Sequence, residues 1–153
     1  MIGLLQRVTV ASVEVDGVVV GRIGPGLLVL VAVEPMDSQA QADRLVERLI
    51  GYRVFEDAQG RMNLSLLENG GGLLLVPQFT LAADTGKGMR PSFTGAAPPE
   101  LGRDLFDYTV RRARSQLGER VATGRFGAHM RVSLTNDGPV TFWLRATAPA
   151  GGG

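Results

Sequence analysis

Residues 24–50 read GPGLLVLVAVEPMDSQAQADRLVERLI, and the succession of patterns inside this stretch decides the fold class. Gly24-Pro25-Gly26 turns the chain, and Leu27–Val33 follows as a continuous apolar run that reads as a buried central strand. Ser38-Gln39-Ala40-Gln41 is a capping box, in which the serine hydroxyl and the glutamine side chain satisfy the first free amides of a helix. Ala42, Leu45, Val46, Leu49 and Ile50 then recur at helical spacing, and Gly51 is the expected stop. Upstream, segments 2–15 and 18–23 are rich in valine and flank Asp16-Gly17, a dipeptide suited to a two-residue hairpin.

Downstream, Tyr52–Phe55 and Met62–Leu66 read as short strands around a turn at Asp57–Gly60. After the glycines at 70–72 comes an expected strand, Leu73–Leu81. Pro98-Pro99-Glu100 opens a second helix, with Phe106, Val110, Ala113 and Leu117 on its buried stripe and Gly118 at its end. Arg103, Arg111, Arg112 and Arg114 lie off that stripe. Two last strands, about 128–135 and 140–145, are expected on either side of Asn136-Asp137-Gly138-Pro139. There is no internal repeat and no linker. The pattern predicts one α+β domain over residues 1–145, a mainly antiparallel, barrel-like sheet with two helices, followed by a flexible Ala/Pro/Gly-rich tail over 146–153.

Composition narrows the function classes. The 153 residues contain no cysteine and one histidine, His129, which excludes disulfide scaffolds, thiol nucleophiles, thiolate metal sites and multi-histidine metal centres. No metal or cofactor motif is present. No apolar run reaches the roughly 20 residues of a membrane span, and the start MIGLLQRVTVASVEVDG lacks a signal-peptide layout, so a soluble cytoplasmic protein is expected, with no membrane partner. The net charge of +1 conceals an asymmetry: residues 1–76 hold 6 basic and 9 acidic side chains, residues 77–153 hold 10 and 6. Fifteen of the sixteen basic residues are arginine, which fits either an ordinary solvated surface or a phosphate-facing half.

Three places offer chemistry. On the expected strand 73–81 one face is apolar throughout, whereas the other passes from Leu74 and Val76 to Gln78 and Thr80, as a strand does on leaving the core at a cleft or at plain surface. Pro77 lacks an N–H and must sit at an edge, a bulge or a ladder gap. The loop Ala82–Pro99 carries Met89-Arg90-Pro91-Ser92-Phe93, a cation, a hydroxyl and a ring able to hold a phosphate and stack a base, or an ordinary loop anchored by Phe93. The turn at Gly138-Pro139 is unusual because a proline follows the glycine directly, and an X–Pro bond there can be cis or trans. His129 reads as an exposed strand residue rather than a base. No GxSxG elbow, P-loop or GxGxxG is present, so an enzyme built on this chain would rely on backbone donors and on its substrate.

Gln6-Arg7-Val8, Pro77-Gln78-Phe79-Thr80-Leu81-Ala82-Ala83-Asp84, Gly88-Met89-Arg90-Pro91-Ser92-Phe93, Thr123-Gly124-Arg125-Phe126 and Asn136-Asp137-Gly138-Pro139-Val140-Thr141, in this order and spacing, resemble the D-aminoacyl-tRNA deacylase family from about residue 1 to 145. The resemblance implies a homodimeric hydrolase that cleaves the ester joining a D-amino acid to the terminal adenosine of tRNA, and that also removes glycine mischarged on tRNA-Ala. It implies a Gly-cis-Pro motif, here Gly138-Pro139, inserted from one subunit into the other's active site, where its carbonyls face the substrate ammonium and leave no room for an L side chain. Arg7 matches the arginine that braces this motif. Phe93 and Phe126 are expected to line the adenosine pocket, and arginines of the second helix to meet acceptor-stem phosphates.

The family's Ser-Gln-x-Thr stretch falls on Gln78, Phe79 and Thr80, and its serine is replaced by Pro77. Two mechanisms follow from the resemblance. In one, the Thr80 hydroxyl attacks the ester, with no histidine or lysine on the strand to activate it. In the other, backbone amides near Phe79 and Thr80 form an oxyanion hole and the adenosine 2′-hydroxyl assists an attacking water. The absence of a general base favours the second. A tRNA-end binding module with weakened catalysis, marked by Pro77, is the competing reading.

Overall fold

The computed structural model describes residues 1–147; the greater part of the expected tail, residues 148–153, lies outside the described residues. The long first strand, β1 (Ile2–Val15), organises the sheet. Along one side it pairs end to end with two antiparallel neighbours: residues 2–8 with β3 (Gly26–Ala32) and residues 11–15 with β2 (Val18–Ile23). Along its other side runs β8 (Arg131–Arg145), also antiparallel. Asp16 and Gly17 join β1 to β2 with φ of +50° and +79°, the doubly positive turn that the Asp-Gly pair is suited to form.

The sheet continues from β3 through β6 (Gly72–Pro77) to β7 (Val121–Thr123), and both of these ladders are parallel. Parallel neighbours require crossovers, and helices supply them. α1 (Gln39–Gly51) lies between β3 and β6 in the chain, and α3 (Pro99–Leu117) lies between β6 and β7. At the far edge β2 returns against β7: a Cβ built on Gly21 would sit 2.3 Å from the Thr123 carbonyl oxygen. The sheet therefore almost closes on itself, and the expected barrel-like α+β domain is what forms.

The uninterrupted apolar runs now have a cause. Leu28, Leu74 and Val76 pack inside the curled sheet with Val8, Val13 and Ile23. Leu27, Val29, Val31, Leu73 and Leu75, on the opposite face, pack under the two helices. β3 and β6 are buried on both faces, so neither can alternate apolar with polar residues. α1 is closed by the Ser38 capping box, and α3 buries Phe106, Val110, Ala113 and Leu117 as its spacing predicts.

Five local expectations are corrected. The strand expected over Leu73–Leu81 ends at Pro77 and passes into a 3₁₀ turn over Phe79–Ala82, because β7 has departed and no ladder extends β6 further. The two final strands are one, β8, whose halves both pair with β1 around a bulge rather than with each other. A third, short helix, α2 (Leu66–Asn69), starts at a Ser65–Glu68 capping box. β7 was not anticipated from the sequence. The small hairpin is confined to β4 (Phe55–Glu56) and β5 (Met62–Leu64).

The ends of β1 and β8 meet in a charged knot. The Met1 ammonium is buried, 2.7 Å from Asp37 Oδ2, 2.7 Å from the Ala146 carbonyl oxygen and 3.4 Å from Glu34 Oε1. Arg145 donates to both oxygens of Glu34. Burial pushes the Glu34 carboxyl up, but the hydrogen bond from Arg145 and the two neighbouring positive charges outweigh it and hold the group below its usual value of 4.5. Its stabilising contribution is therefore present above that value and lost as pH falls through the lowered one. Glu34→Gln is expected to lower the urea midpoint at pH 7 and to flatten its decline between about pH 5 and 3, measured by fluorescence; an unchanged acid limb would show that Glu34 carries none of it.

Candidate active site

Where β6 ends, its covering layers part. Gln78 still donates its backbone N–H to the Val31 carbonyl at 2.7 Å, so even-numbered amides on this strand face β3. Odd-numbered residues face β7: Leu75 accepts from Gly124 N–H at 2.8 Å, and beyond that point β7 is gone. Pro77 thus occupies a ladder gap, where its missing N–H costs the sheet no bond. Its ring packs beside Gly124, at which an added Cβ would stand 3.4 Å from Pro77 Cδ and 2.8 Å from Met130 Sδ. A side chain there would have to displace the Met130 thioether.

The 3₁₀ turn after Gln78 leaves the Phe79 and Thr80 amides without an acceptor among the described residues, since its first internal bond is Leu81 N–H to the Gln78 carbonyl at 3.3 Å. Gln78 Nε2 donates to Thr80 Oγ1. A carboxamide is not a base in either of its orientations, so this contact orients the threonine hydroxyl without activating it. Phe79 is more than half exposed, and its ring meets that of Phe93 with centroids 5.2 Å apart.

A cavity of about 470 Å³ opens beside this turn, between the ends of β3 and β6, the first turns of α3 and the segment leading into β8. Val31, Pro77, Phe79, Phe106, Phe126 and Met130 supply much of its wall. Phe126 lies between Phe106, at a centroid separation of 6.5 Å, and the Arg103 guanidinium, 5.4 Å above its ring. Phe93 does not line this cavity and reaches it only through Phe79. His129 is exposed, as expected, but it precedes β8 instead of lying on a strand, and it sits at the rim, shared with a second hollow of about 360 Å³ bounded by Glu14, Asp16, Gly17 and Arg131. Met130 and Gly102 line the wall as well; the sequence reading did not single them out, because neither carries a polar group.

Gly138-Pro139 lies elsewhere. β8 pairs Asn136 with Val8 and Thr141 with Gln6, so residues 137–140 stand out opposite the single residue Arg7. Arg7 is buried; its Nε donates to the Asp137 carbonyl at 2.9 Å and its Nη1 to the Val54 carbonyl at 2.7 Å. Asn136 closes the loop, accepting from Val140 N–H at 2.7 Å and donating to the Val140 carbonyl and to Thr141 Oγ1. The Gly138–Pro139 peptide is cis, and at Gly138 (φ +145°) a Cβ would fall 2.6 Å from Val140 Cγ2. Arg7 pairs with Leu27 and Pro77 with Val31, four residues along β3 and across three strand spacings, which puts the loop and the cleft on the order of 20 Å apart in one chain. Gln78, Phe79 and Phe126 line the cavity, while Thr80 follows Phe79 in the chain and Phe93 packs on it, both outside the lining; Arg7, Gly138 and Pro139 form a second group.

The fold and this cleft define an α+β protein whose polar equipment at the pocket is unpaired backbone amides and the Gln78 carboxamide, with His129 at the rim as the ionisable side chain. The chain belongs to the family described as D-Tyr-tRNA(Tyr) deacylase, whose family model matches residues 4–145. It is 66% identical over 149 residues to the D-aminoacyl-tRNA deacylase of Thioalkalivibrio sulfidiphilus, spanning 97% of this chain and 99% of that one. It is also 66% identical over 145 residues to the D-aminoacyl-tRNA deacylase of a Pseudomonas putida strain, spanning 95% and 99%. Among solved structures, the c-Myc DNA unwinding element binding protein superposes with a TM-score of 0.92 at 36% identity, covering 97% of this chain and 100% of its own.

Arg7→Ala would leave the Val54 and Asp137 carbonyls without their donors. It is expected to lower unfolding stability by about 2–3 kcal/mol in urea titrations, with Arg7→Lys recovering only part because an ammonium cannot fork between two carbonyls. A loss below about 0.5 kcal/mol would show that the loop stands without this brace.

Proposed function

We propose that this chain hydrolyses the ester between a D-amino acid and the 3′-terminal adenosine of tRNA, acting in the cytoplasm as a homodimer in which Gly138-Pro139 of each subunit enters the cleft of the other. The observation that carries this reading is the split of the matching residues into two groups roughly 20 Å apart, an amide-bearing pocket and an exposed, braced loop. One chain holds half of the constellation in each place, and two chains related by a twofold axis bring the halves together twice.

In this reading Phe126 and Phe79, with Phe93 behind it, receive the adenosine, and the Phe79 and Thr80 amides donate to the ester oxygen as it becomes an oxyanion. Water attacks the carbonyl carbon, assisted by the adenosine 2′-hydroxyl, and the 3′-oxygen leaves with a proton. The partner's loop carbonyls face the α-ammonium and occupy the space an L side chain would need, so chirality is selected by exclusion and glycine passes. The ladder gap at Pro77 argues against decay to a mere tRNA-end binding module, since the proline sits where no backbone bond is forgone.

Purified protein is expected to hydrolyse D-Tyr-tRNA rapidly and to leave L-Tyr-tRNA intact; survival of both esters alongside retained tRNA binding would establish the binding-module reading instead. Thr80→Ala is expected to keep its deacylation rate within about tenfold, because the amide rather than the hydroxyl acts; loss of about 10⁴-fold or more would make Thr80 the nucleophile.

A further inference from the structure

We propose that the Arg103 guanidinium, held over the ring of Phe126 at the mouth of the cleft, is a binding site for a backbone phosphate of the RNA strand that enters there. The proposal rests on the reading of the cleft as the seat of the terminal nucleoside. The Phe126 ring packs against the first turns of α3: a Cβ built on Gly102 would lie in contact with it, 3.4 Å from Phe126 Cζ, beside the next residue, Arg103. The guanidinium carbon then stands 5.4 Å from the ring centroid. Among the described residues no hydrogen bond or ion pair engages its donors, and a planar fork of this kind suits a phosphate.

Two nearby cations are committed elsewhere: Arg112 pairs with Asp43 at 3.2 Å, and Arg120 donates to the Leu66 and Gly71 carbonyls. Arg111 lies over Tyr108, a ring that does not line the cavity. Arg103 has Glu100, Asp104 and Asp107 near it on the same helix, yet among the described residues no carboxylate comes within 4.0 Å of it. Of the arginines on α3 it is the one in contact with a residue of the cavity wall. A nucleoside seated against Phe126 brings its own 5′-phosphate to the mouth of the pocket, and that phosphate needs a cation at its entry point. The hollow beyond His129 carries Glu14 and Asp16 against the single cation Arg131, an acidic balance that disfavours the opposite exit and directs the strand towards α3.

The test is a fluorescence-anisotropy titration of a labelled acceptor-stem minihelix ending in single-stranded CCA, against the full chain and its Arg103→Gln, Arg103→Lys and Arg114→Gln variants, at 50 and 200 mM salt. One phosphate contact to a single strand contributes a slope of about −0.7 in log K against log salt, so Arg103→Gln is expected to bind about fivefold more weakly at 50 mM and about twofold at 200 mM. Arg103→Lys should fall between, keeping the charge without the fork. Arg114→Gln, the same loss of charge three turns along the helix, should change affinity by less than about twofold at both. Wild-type affinity and slope for Arg103→Gln, or an equal loss for Arg114→Gln, would overturn the site. This readout needs no turnover: a protein inert towards D-Tyr-tRNA whose Arg103→Gln variant still loses affinity refutes the catalytic reading and leaves the phosphate site standing. The reverse result refutes the phosphate site alone.

Discussion

Everything in this molecule follows from two strands that must be covered on both faces. β3 and β6 carry leucine and valine at successive positions, so apolar surface has to be removed from water above and below the sheet at once. One face is covered by curling the sheet until β2 reaches β7, and the other by laying α1 and α3 across it. The cover is complete along the middle of these strands and fails at their carboxyl ends, where β7 has already stopped. Concavities in parallel sheets arise at such ends, and the cleft beside Pro77 is of that kind.

The chemistry available in the cleft reflects how the chain leaves the sheet. A strand that ends without a neighbour and turns at once into a 3₁₀ segment presents consecutive amides with nothing to bind. Such donors require no particular side chains, cannot lose a proton at working pH and are fixed by the backbone itself. That explains why Pro77 is tolerated next to them: proline restricts the backbone and withholds a donor only on the side where none is used.

Elements with their own periodicity were legible in the sequence. α1, α3 and the Asp16-Gly17 hairpin lie where spacing and caps put them, and α2 carries the same capping signature at Ser65–Glu68 but, at four residues, is too short to show a helical period. The failures share a cause. Whether residues 78–81 continue a strand depends on where β7 stops, which is set by a chain segment forty residues away. Whether Asn136–Pro139 is a hairpin turn or a bulge depends on β1, which is long enough to pair with both flanking halves. Local pattern cannot report either. The motif residues around Gln78 and Gly138 were recognisable by resemblance, while their distribution over two separate places required the register of β1, β3 and β6. Met130 and Gly102 show no sequence signal because their contribution is shape.

The bulge at residues 137–140 has a consequence for solubility. β8 is the longest strand, pairs only with β1 among the described residues, and so offers an open edge. Long flat edges of this kind template strand addition and lead to fibrous aggregates. By throwing four residues out of the ladder opposite Arg7, the chain divides that edge into two shorter pieces. The loop that presents Gly138-Pro139 therefore also acts as a gatekeeper, protecting the exposed border of the sheet from indiscriminate pairing.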